Sequence, residues 1–595
     1  MFADVAGPTG IKTIQNLVRG LSASSNLQVQ IAAHKIATRH LEFDCARSAE
    51  SHAPLSNSDT VVNDLRVQRH ITAGDDSTAI AEAVTPWDPL DERLPLALGR
   101  LGRHEELLQR TQTTQKAKIR ALRSWGAEQL GLPDLALDEA ERALTLDDCT
   151  PAVAAGITLR FSELDQHRFE KTVDQIEYAW QIGALDQVHE ISSARTDARA
   201  PDLADLRVAQ AHYVQRRFET ANTAAIGLES SHLWWGARKL RARVAFELGQ
   251  DDQAIELRRG QELPTETFDE VRFFSWLATG QRQRALSNYL TKLDELRLDY
   301  CFKQKHVKDP KRIQGGRILL LLQNGPGDAM IAATQIARLE RNCDHLTIAC
   351  DVRLAPFFGE AFPTCQILPV ETSPNAPTGL PELSRPEPYA SMGFQLPEAP
   401  DYEAVIASRT LLQLGSDRLP SPPIFNPTKS FHDSNLPKPV GVVWRSELSD
   451  PYRQIHYVRP SDFTSLRKLA RPVICLQHDA TESELADLRK AVGTVHIPGT
   501  DLRNDFAGTA QIIANCEAVI GPGTTITEFA AACGTATVML HPNRFGAWRE
   551  FNGGRDHWHK SMRAAVATDV TNSASSVEVA TSILLKTPPD RSRWA

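Results

Sequence analysis

No run of about 18 apolar residues occurs in this 595-residue sequence, so no transmembrane segment is expected. The opening stretch, MFADVAGPTG, lacks a basic segment leading into an apolar core, so no secretory leader is expected and the chain reads as cytoplasmic. Nine cysteines are scattered from Cys45 to Cys533 without a single CxxC pair. That pattern excludes a disulfide framework and a structural zinc site, and it suits a reducing compartment. His541, His557 and His559 are too loosely arranged for a metal site, so neither metal nor cofactor is expected. A large excess of one charge is also missing. The net charge of −8 argues against a nucleic-acid or membrane-surface partner. What remains is an ordinary globular composition, 42% apolar and 24% charged, on a chain too long for one core.

Three textures divide the chain. Residues 1–85 hold one apolar helical pattern (Ile11, Ile14, Leu17, Val18, Leu21) followed by a polar break, which reads as a helical cap with a flexible insertion. Residues 86–300 are rich in Ala, Leu, Arg, Glu and Gln and poor in alternation. Here the phrases GRHEELL, GLPDLALDEAERAL, GALDQVHEI, RRFETANTA, GQDDQAIEL and GQRQRALSN each stand where one helix would turn into the next. Val188, Ala221, Ala254 and Ala285 mark the repeat centres at a spacing of about 31–33 residues, near the tetratricopeptide period. Gly131, Gly183, Gly249 and Gly280 occupy corners that need a left-handed residue. An irregular helical bundle is the alternative. As a solenoid, this module would offer a concave face to an acceptor protein.

From Gly315 onward short β-rich runs alternate with helical stretches, the pattern of parallel α/β folding. Arg317–Leu322, Leu346–Cys350, Cys365–Leu368 and Ala404–Ala407 are predicted strands of a first unit, 315–430. A Pro-rich insertion runs from Pro369 to Pro400, and a linker follows Ala407. A second unit, 438–570, carries predicted strands Val440–Val443, Val473–Leu476, Val495–Ile497, Ala518–Ile520 and Thr537–Leu540. Residues 571–595 form a C-terminal helix and tail, and the helix is expected to pack back across the first unit. The fold class is therefore α plus α/β: a helical-repeat solenoid ahead of two Rossmann-like domains facing each other in a GT-B pair. Ligands of open α/β sheets bind at the C-terminal ends of their strands.

Three constellations stand at such ends. Asn324-Gly325-Pro326-Gly327-Asp328 follows a buried strand and opens a helix. Gly325 and Gly327 would let backbone approach a ligand, and the helix N-terminus favours an anion. Asp328 is either a functional acid or a dipole-complementing one. Gly521-Pro522-Gly523-Thr524-Thr525-Ile526-Thr527-Glu528 repeats the arrangement. Backbone N–H groups with the hydroxyls of Thr524, Thr525 and Thr527 would cup a phosphate, while Thr525 and Glu528 also have capping-box spacing. Arg445, in VVWRS at a strand end, would pair phosphate bidentately or form an ion pair. Trp548 and Trp558, in the segment HPNRFGAWREFNGGRDHWHKSMR, pack a core or stack on a base or sugar.

The order strand–GPGD–helix, VVWRS, VIGPGTT, EFAAACGTATVML and HWHKSMR resembles the heptosyltransferase-like glycosyltransferases, family nine, between about Gly315 and Arg563. Together with DYEAVIASRTLLQLG and LPSPPIFNP it resembles more closely the bacterial branch in which tetratricopeptide repeats precede that domain, exemplified by flagellin glycosyltransferases. The resemblance implies Asp328 as general base. It also implies a donor loop at Gly523, Thr524, Thr525, Thr527 and Glu528. In the family that loop reads Asp-Thr-Gly with a histidine further on. Here Gly523, Thr525 and Glu528 depart from it and Thr524 is kept, which weighs against a heptose donor and leaves the anion cup intact. No DxD triplet occurs, in keeping with metal-independent transfer. The implied reaction moves a sugar, such as the nonulosonic acid pseudaminic acid, from a nucleotide-sugar to Ser or Thr of a protein, flagellin being the implied partner. Transfer to lipopolysaccharide or polysaccharide is one alternative. A non-catalytic scaffold or secretion chaperone built on a decayed transferase is another.

Overall fold

Six tight corners shape the described part of the helical half. The computed structural model describes residues 67, 79–80, 92–161, 164, 169, 171–195, 203–258, 270–289, 298–299, 302, 305–322, 325–370, 402–415, 420–425, 437–447, 451–551 and 554–586. The expected N-terminal cap and the Pro-rich insertion thus lie almost wholly outside the described residues. Helix pairs run Arg93–Arg100 with His104–Arg110, Ala117–Gln129 with Pro133–Leu144, and Thr172–Gln181 with Leu185–Ser193. They continue with Leu203–Val214 and Phe218–Leu228, Trp234–Glu247 and Asp251–Leu257, and Glu270–Ala278 and Arg282–Ser287. The corner residues Gly102, Gly131, Gly183, Arg216, Gly249 and Gly280 all have positive φ. The N–H just after each reaches back to a carbonyl five residues earlier, as in Gln281 to Trp276 at 2.7 Å and Ala184 to Ala179 at 2.9 Å. These are Schellman closures, which satisfy the last carbonyls of a helix and turn the chain sharply. Val188, Ala221, Ala254 and Ala285 are fully buried where the paired helices touch.

Arg216 is the exception among these corners, since a left-handed residue with a Cβ costs roughly 1 kcal/mol. Its side chain offsets that cost. Nη1 donates to the carbonyls of Pro542 and Val570 at 2.6 and 2.7 Å, and Nη2 to that of Ile455 at 2.6 Å. A repeat corner is thereby stapled to the C-terminal unit.

The first α/β unit is a parallel sheet in the order β3-β2-β1-β4, formed by β1 (Arg317–Leu321), β2 (His345–Asp351), β3 (Gln366–Val370) and β4 (Ala404–Ala407). The second contains β5 (Val440–Val442), β6 (Val473–Cys475), β7 (Val495–His496), β8 (Ala518–Gly521), β9 (Thr537–His541), β10 (Glu550–Phe551), β11 (Arg555–Asp556) and β12 (Met562–Val566). Its order is β10-β11-β12-β9-β8-β5-β6-β7, with β10 and β11 antiparallel to their neighbours and the rest parallel. The last three strands were not foreseen: β10 and β11 are two residues each, Glu-Phe and Arg-Asp, and β12 reads MRAAV, which lacks a continuous β-branched run. Ala574–Lys586 packs Val577, Ala580 and Leu584 into the core of the second unit. This corrects the expectation that it crosses the first.

One apolar core joins the pieces. It runs from Phe273 and Trp276 of the last helix pair through the first sheet to Phe506, Phe529 and Trp558 of the second unit. Trp558 is a core residue, almost fully buried against Gly415, where an added Cβ would lie 2.7 Å from its ring. The side chain of Trp548 lies outside the described residues.

The repeat helices also hold the second unit directly. Tyr452 meets the Trp180 ring edge-on at 5.4 Å and lies 4.1 Å beneath the Arg243 guanidinium. Phe545 packs on Phe246 at 4.7 Å and Phe274 at 5.1 Å. Arg544 grips Asp251 with two bonds of 3.1 Å, and its backbone N–H donates to the buried Glu247 at 3.0 Å. Burial pushes the Glu247 carboxyl up to about 7, against the pull of the Arg544 N–H and the Arg216 charge. Because the folded value exceeds the unfolded one, its favourable contribution is complete below about pH 4.5 and is lost as pH rises through 7. Glu247→Gln keeps an acceptor oxygen without the charge. Denaturation of this variant is expected to show a gain of roughly 3 kcal/mol over the parent at pH 8 and almost none at pH 4.

Candidate active site

The two glycine turns face each other. The Gly325 turn, φ 98°, ends β1 and caps the helix Pro326–Ala333, and nothing lies within 4 Å of a Cβ built on Gly325. The Gly521 turn ends β8 and opens the helix Thr525–Ala532, with Gly523 exposed. Gly521 has no room for a side chain: a Cβ there would stand 2.2 Å from Val443 Cγ1. A Cβ on Gly327 would lie 3.6 Å from the Cα of Thr525, so the first turns of the two helices abut. The N-termini of two helices meet at the C-terminal ends of two parallel sheets, a place suited to an anion.

Asp328 stands in the first turn of its helix, half-buried at this junction. Burial is the largest influence on its carboxyl and raises its pKa. The Glu528 carboxylate adds to the rise, while the positive charges of Arg409, Arg549 and Arg453 oppose it. Tyr289, just beyond the last repeat helix, is pushed up to about 12 by burial and then by the Asp328 charge. Its ring stacks on Phe273 at 4.7 Å and lies 4.8 Å from the Arg409 guanidinium. An acid with weakened acidity among cations and helix N-termini is equipped to accept a proton beside a polyanion.

Around the second turn the threonines divide their work. The N-cap is Thr524, one residue before the expected Thr525: its hydroxyl accepts from the Thr527 N–H at 3.4 Å. The Thr527 hydroxyl is fully buried and donates to the Pro522 carbonyl at 2.7 Å, so it holds the loop and does not face a ligand. Thr525, half-buried, keeps its place on the rim. Glu528 turns inward, away from both cup and cap. Its carboxylate meets Arg549 through two contacts of 3.0 Å and His559 Nε2 at 3.3 Å. Arg549 Nε donates to Asp556 at 2.7 Å, and Asp556 accepts the N–H groups of Trp558 and His559. Expected donor contacts through the Thr527 and Glu528 side chains therefore give way to internal bonds, because both are buried polar groups that must be satisfied locally.

Arg445 also departs from its expected role. Nε and Nη2 donate to Glu484 at 2.7 and 2.9 Å, and Nη1 donates to Asp479 at 2.6 Å. Burial alone would lower its pKa, yet the Glu484 and Asp479 carboxylates outweigh burial and raise it. The ion pairs arise because those two acids follow β6, next to the Arg445 strand. Conversely, Arg409, Arg453 and Arg549, whose charges act on Asp328, and Tyr289, on which the Asp328 charge acts, had not been singled out. Arg409 alone carried a signal, standing two residues beyond the end of β4. His541 is buried in β9, its pKa lowered to about 3 by burial, and His557 contacts the Gly415 carbonyl at 3.0 Å. Among the described residues no group of three or more His, Cys, Asp or Glu could hold a metal ion. No described helix is long and apolar enough to cross a membrane.

Comparison with known proteins gives a fold likeness only. No protein-family model and no curated protein matches the chain. Among solved structures it is similar to a family 9 glycosyl transferase from Veillonella parvula, at 12% identity and TM-score 0.32, over 46% of this chain and 98% of that one. It is also similar to the E. coli heptosyltransferase WaaC with ADP, at 12% identity and TM-score 0.27, over 45% and 99%. A Thermobaculum terrenum O-GlcNAc transferase mutant matches over 71% and 90%, at 12% identity and TM-score 0.24. At such identities and scores the likeness speaks of chain path alone.

Proposed function

We propose that this protein is a glycosyltransferase that moves a sugar from a nucleotide-sugar donor to a hydroxyl of an acceptor protein. The observation that carries the reading is the facing pair of helix N-termini, with Asp328 in one and open backbone N–H groups in both. Transfer needs a base for the acceptor hydroxyl and positive partial charge for the departing phosphate. Asp328 is the base. The backbone at Gly325, Gly327, Gly523, Thr524 and Thr525, aided by Arg409 and Arg453, receives the phosphate without a metal. The first helices of the pairs from Thr172 onward are occupied by the chain's own Tyr452 and Phe545, so an acceptor such as flagellin would meet the pairs between Arg93 and Thr158.

A second reading, a non-catalytic scaffold, is favoured by the internal engagement of Arg445, Thr527 and Glu528. One experiment separates the two. The full chain is incubated with UDP-, GDP-, ADP- and CMP-linked sugars and with flagellin, while released nucleotide and intact flagellin mass are measured. Nucleotide release with a matching mass gain is expected from one donor. Failure to bind or turn over any of these donors would leave the scaffold.

A further inference from the structure

The turn Pro451–His456 leaves the C-terminal end of β5 and is held from one side by the repeat helices. Tyr452 is packed against Trp180, Tyr213 and Arg243, which belong to three successive helix pairs. Ile455 is buried in the repeat core, and its carbonyl accepts from Arg216 at 2.6 Å and from Asn543 at 3.2 Å. His456 closes the turn with a 2.8 Å contact to Asn543 and an edge-on approach to Phe545 at 5.4 Å. Between the clamped residues, Arg453 is exposed and close enough for its charge to act on Asp328.

We propose that the helical module is a positioning device for the transfer site: by clamping Tyr452 and Ile455 it fixes where the Arg453 guanidinium stands in the cleft. The face that a repeat array ordinarily offers a partner is, from Thr172 onward, used to hold the chain's own active-site turn. Arg216 explains why one corner keeps a strained residue where five others have glycine. Its guanidinium ties the corner to that turn, so Arg216 and Tyr452 are positioning residues. The Arg453 side chain contributes to binding the donor's phosphates, which rests on the transfer reading above. β5 lies beside β8 in the sheet, and Gly521 packs on Val443 just past β5, so the clamped turn leaves the same sheet edge as the Gly521 turn and Arg453 is the charge it supplies there.

The test is a double-mutant cycle on the full chain, with inorganic pyrophosphate as the calorimetric probe. Arg453→Gln is expected to weaken pyrophosphate binding about tenfold, the size of a lost charge-assisted hydrogen bond. Arg216→Gly keeps the left-handed corner at no steric cost and removes only the guanidinium. It is expected to weaken binding by a similar factor, although residue 216 touches no donor. The double variant should bind no worse than Arg453→Gln alone, because the clamp acts through that side chain. Tyr452→Leu gives an independent second arm with the same expected outcome. Pyrophosphate affinity within twofold of the parent in Arg216→Gly and Tyr452→Leu would overturn the proposal. So would additive losses in the double variant, or a parent that does not bind pyrophosphate. A parent that binds pyrophosphate with the expected cycle, yet transfers sugar from none of the four donor classes, would overturn the transferase reading and leave the positioning device standing.

Discussion

Asp328→Asn is expected to lower sugar transfer by about 10²–10⁴-fold, the usual contribution of a positioned proton acceptor, while nucleotide binding stays within about twofold. The amide matches the carboxylate in shape, so the contact between the two glycine turns survives. The same substitution should stabilise the fold. Burial and the neighbouring Glu528 raise the Asp328 pKa above its ordinary value, despite three arginine charges pulling the other way. A group with a raised folded pKa favours folding fully below its unfolded pKa, and that favour is lost as pH rises through the folded value. At neutral pH the ionised Asp328 is therefore a cost that Asn removes, a trade of stability for activity common at working sites. The pH dependence of transfer should follow the same sign, with an acid limb above the ordinary carboxylate range, since the base works only when ionised. Undiminished transfer by Asp328→Asn, with normal nucleotide binding, would remove Asp328 from the role.

The sheets were readable because parallel strands buried on both faces appear as continuous apolar runs. RILLLL, just before the first glycine turn, marks β1 to within one residue of its end. The repeat corners were readable for a related reason: a left-handed φ selects glycine, and each of four such glycines precedes the second helix of a pair. Arg216 escaped because the corner's strain is offset by contacts with residues 239 to 354 positions away, a distance no local pattern spans. The site divided along the same line. Glycine turns at strand ends are local, so the position of Gly325, Gly327, Asp328, Gly523 and Thr524 at the openings of two helices was legible. What a charged side chain pairs with is not local. Arg445 reads as a phosphate ligand until Glu484 is brought beside it, and Glu528 reads as a cap until Arg549 arrives from 21 residues on.

Arg549→Met is expected to cost about 3–5 kcal/mol, more than any other single exchange around the site, because it leaves two buried carboxylates without their counter-charge. Arg549 has only 2% of its side chain exposed, and Glu528 and Asp556 have 6% and 1%. Burial alone would raise the Asp556 pKa, but the Arg549 and His559 charges outweigh it and hold the acid below its ordinary range. With a depressed folded pKa, the stabilisation from Asp556 is present above its unfolded value and is lost as pH falls through the folded one. Removing Arg549 abolishes that protection, so the variant should lose less stability at pH 4 than at pH 7. The damage should also reach the donor loop. Glu528 stands in the first turn of the helix Thr525–Ala532, and an unpaired charge there must be expelled toward water or neutralised. Hydrogen exchange is the suitable measurement in a chain with several cores, since it reads each element separately. Faster exchange at Thr525–Ala532 and Met562–Val566 is expected, with the repeat helices before Thr172 unchanged. Adding Glu528→Gln and Asp556→Asn to Arg549→Met should restore most of the protection by removing the unpaired charges. If the single variant exchanged like the parent, the buried network would have no part in holding the loop, and the N-cap at Thr524 would have to do so alone.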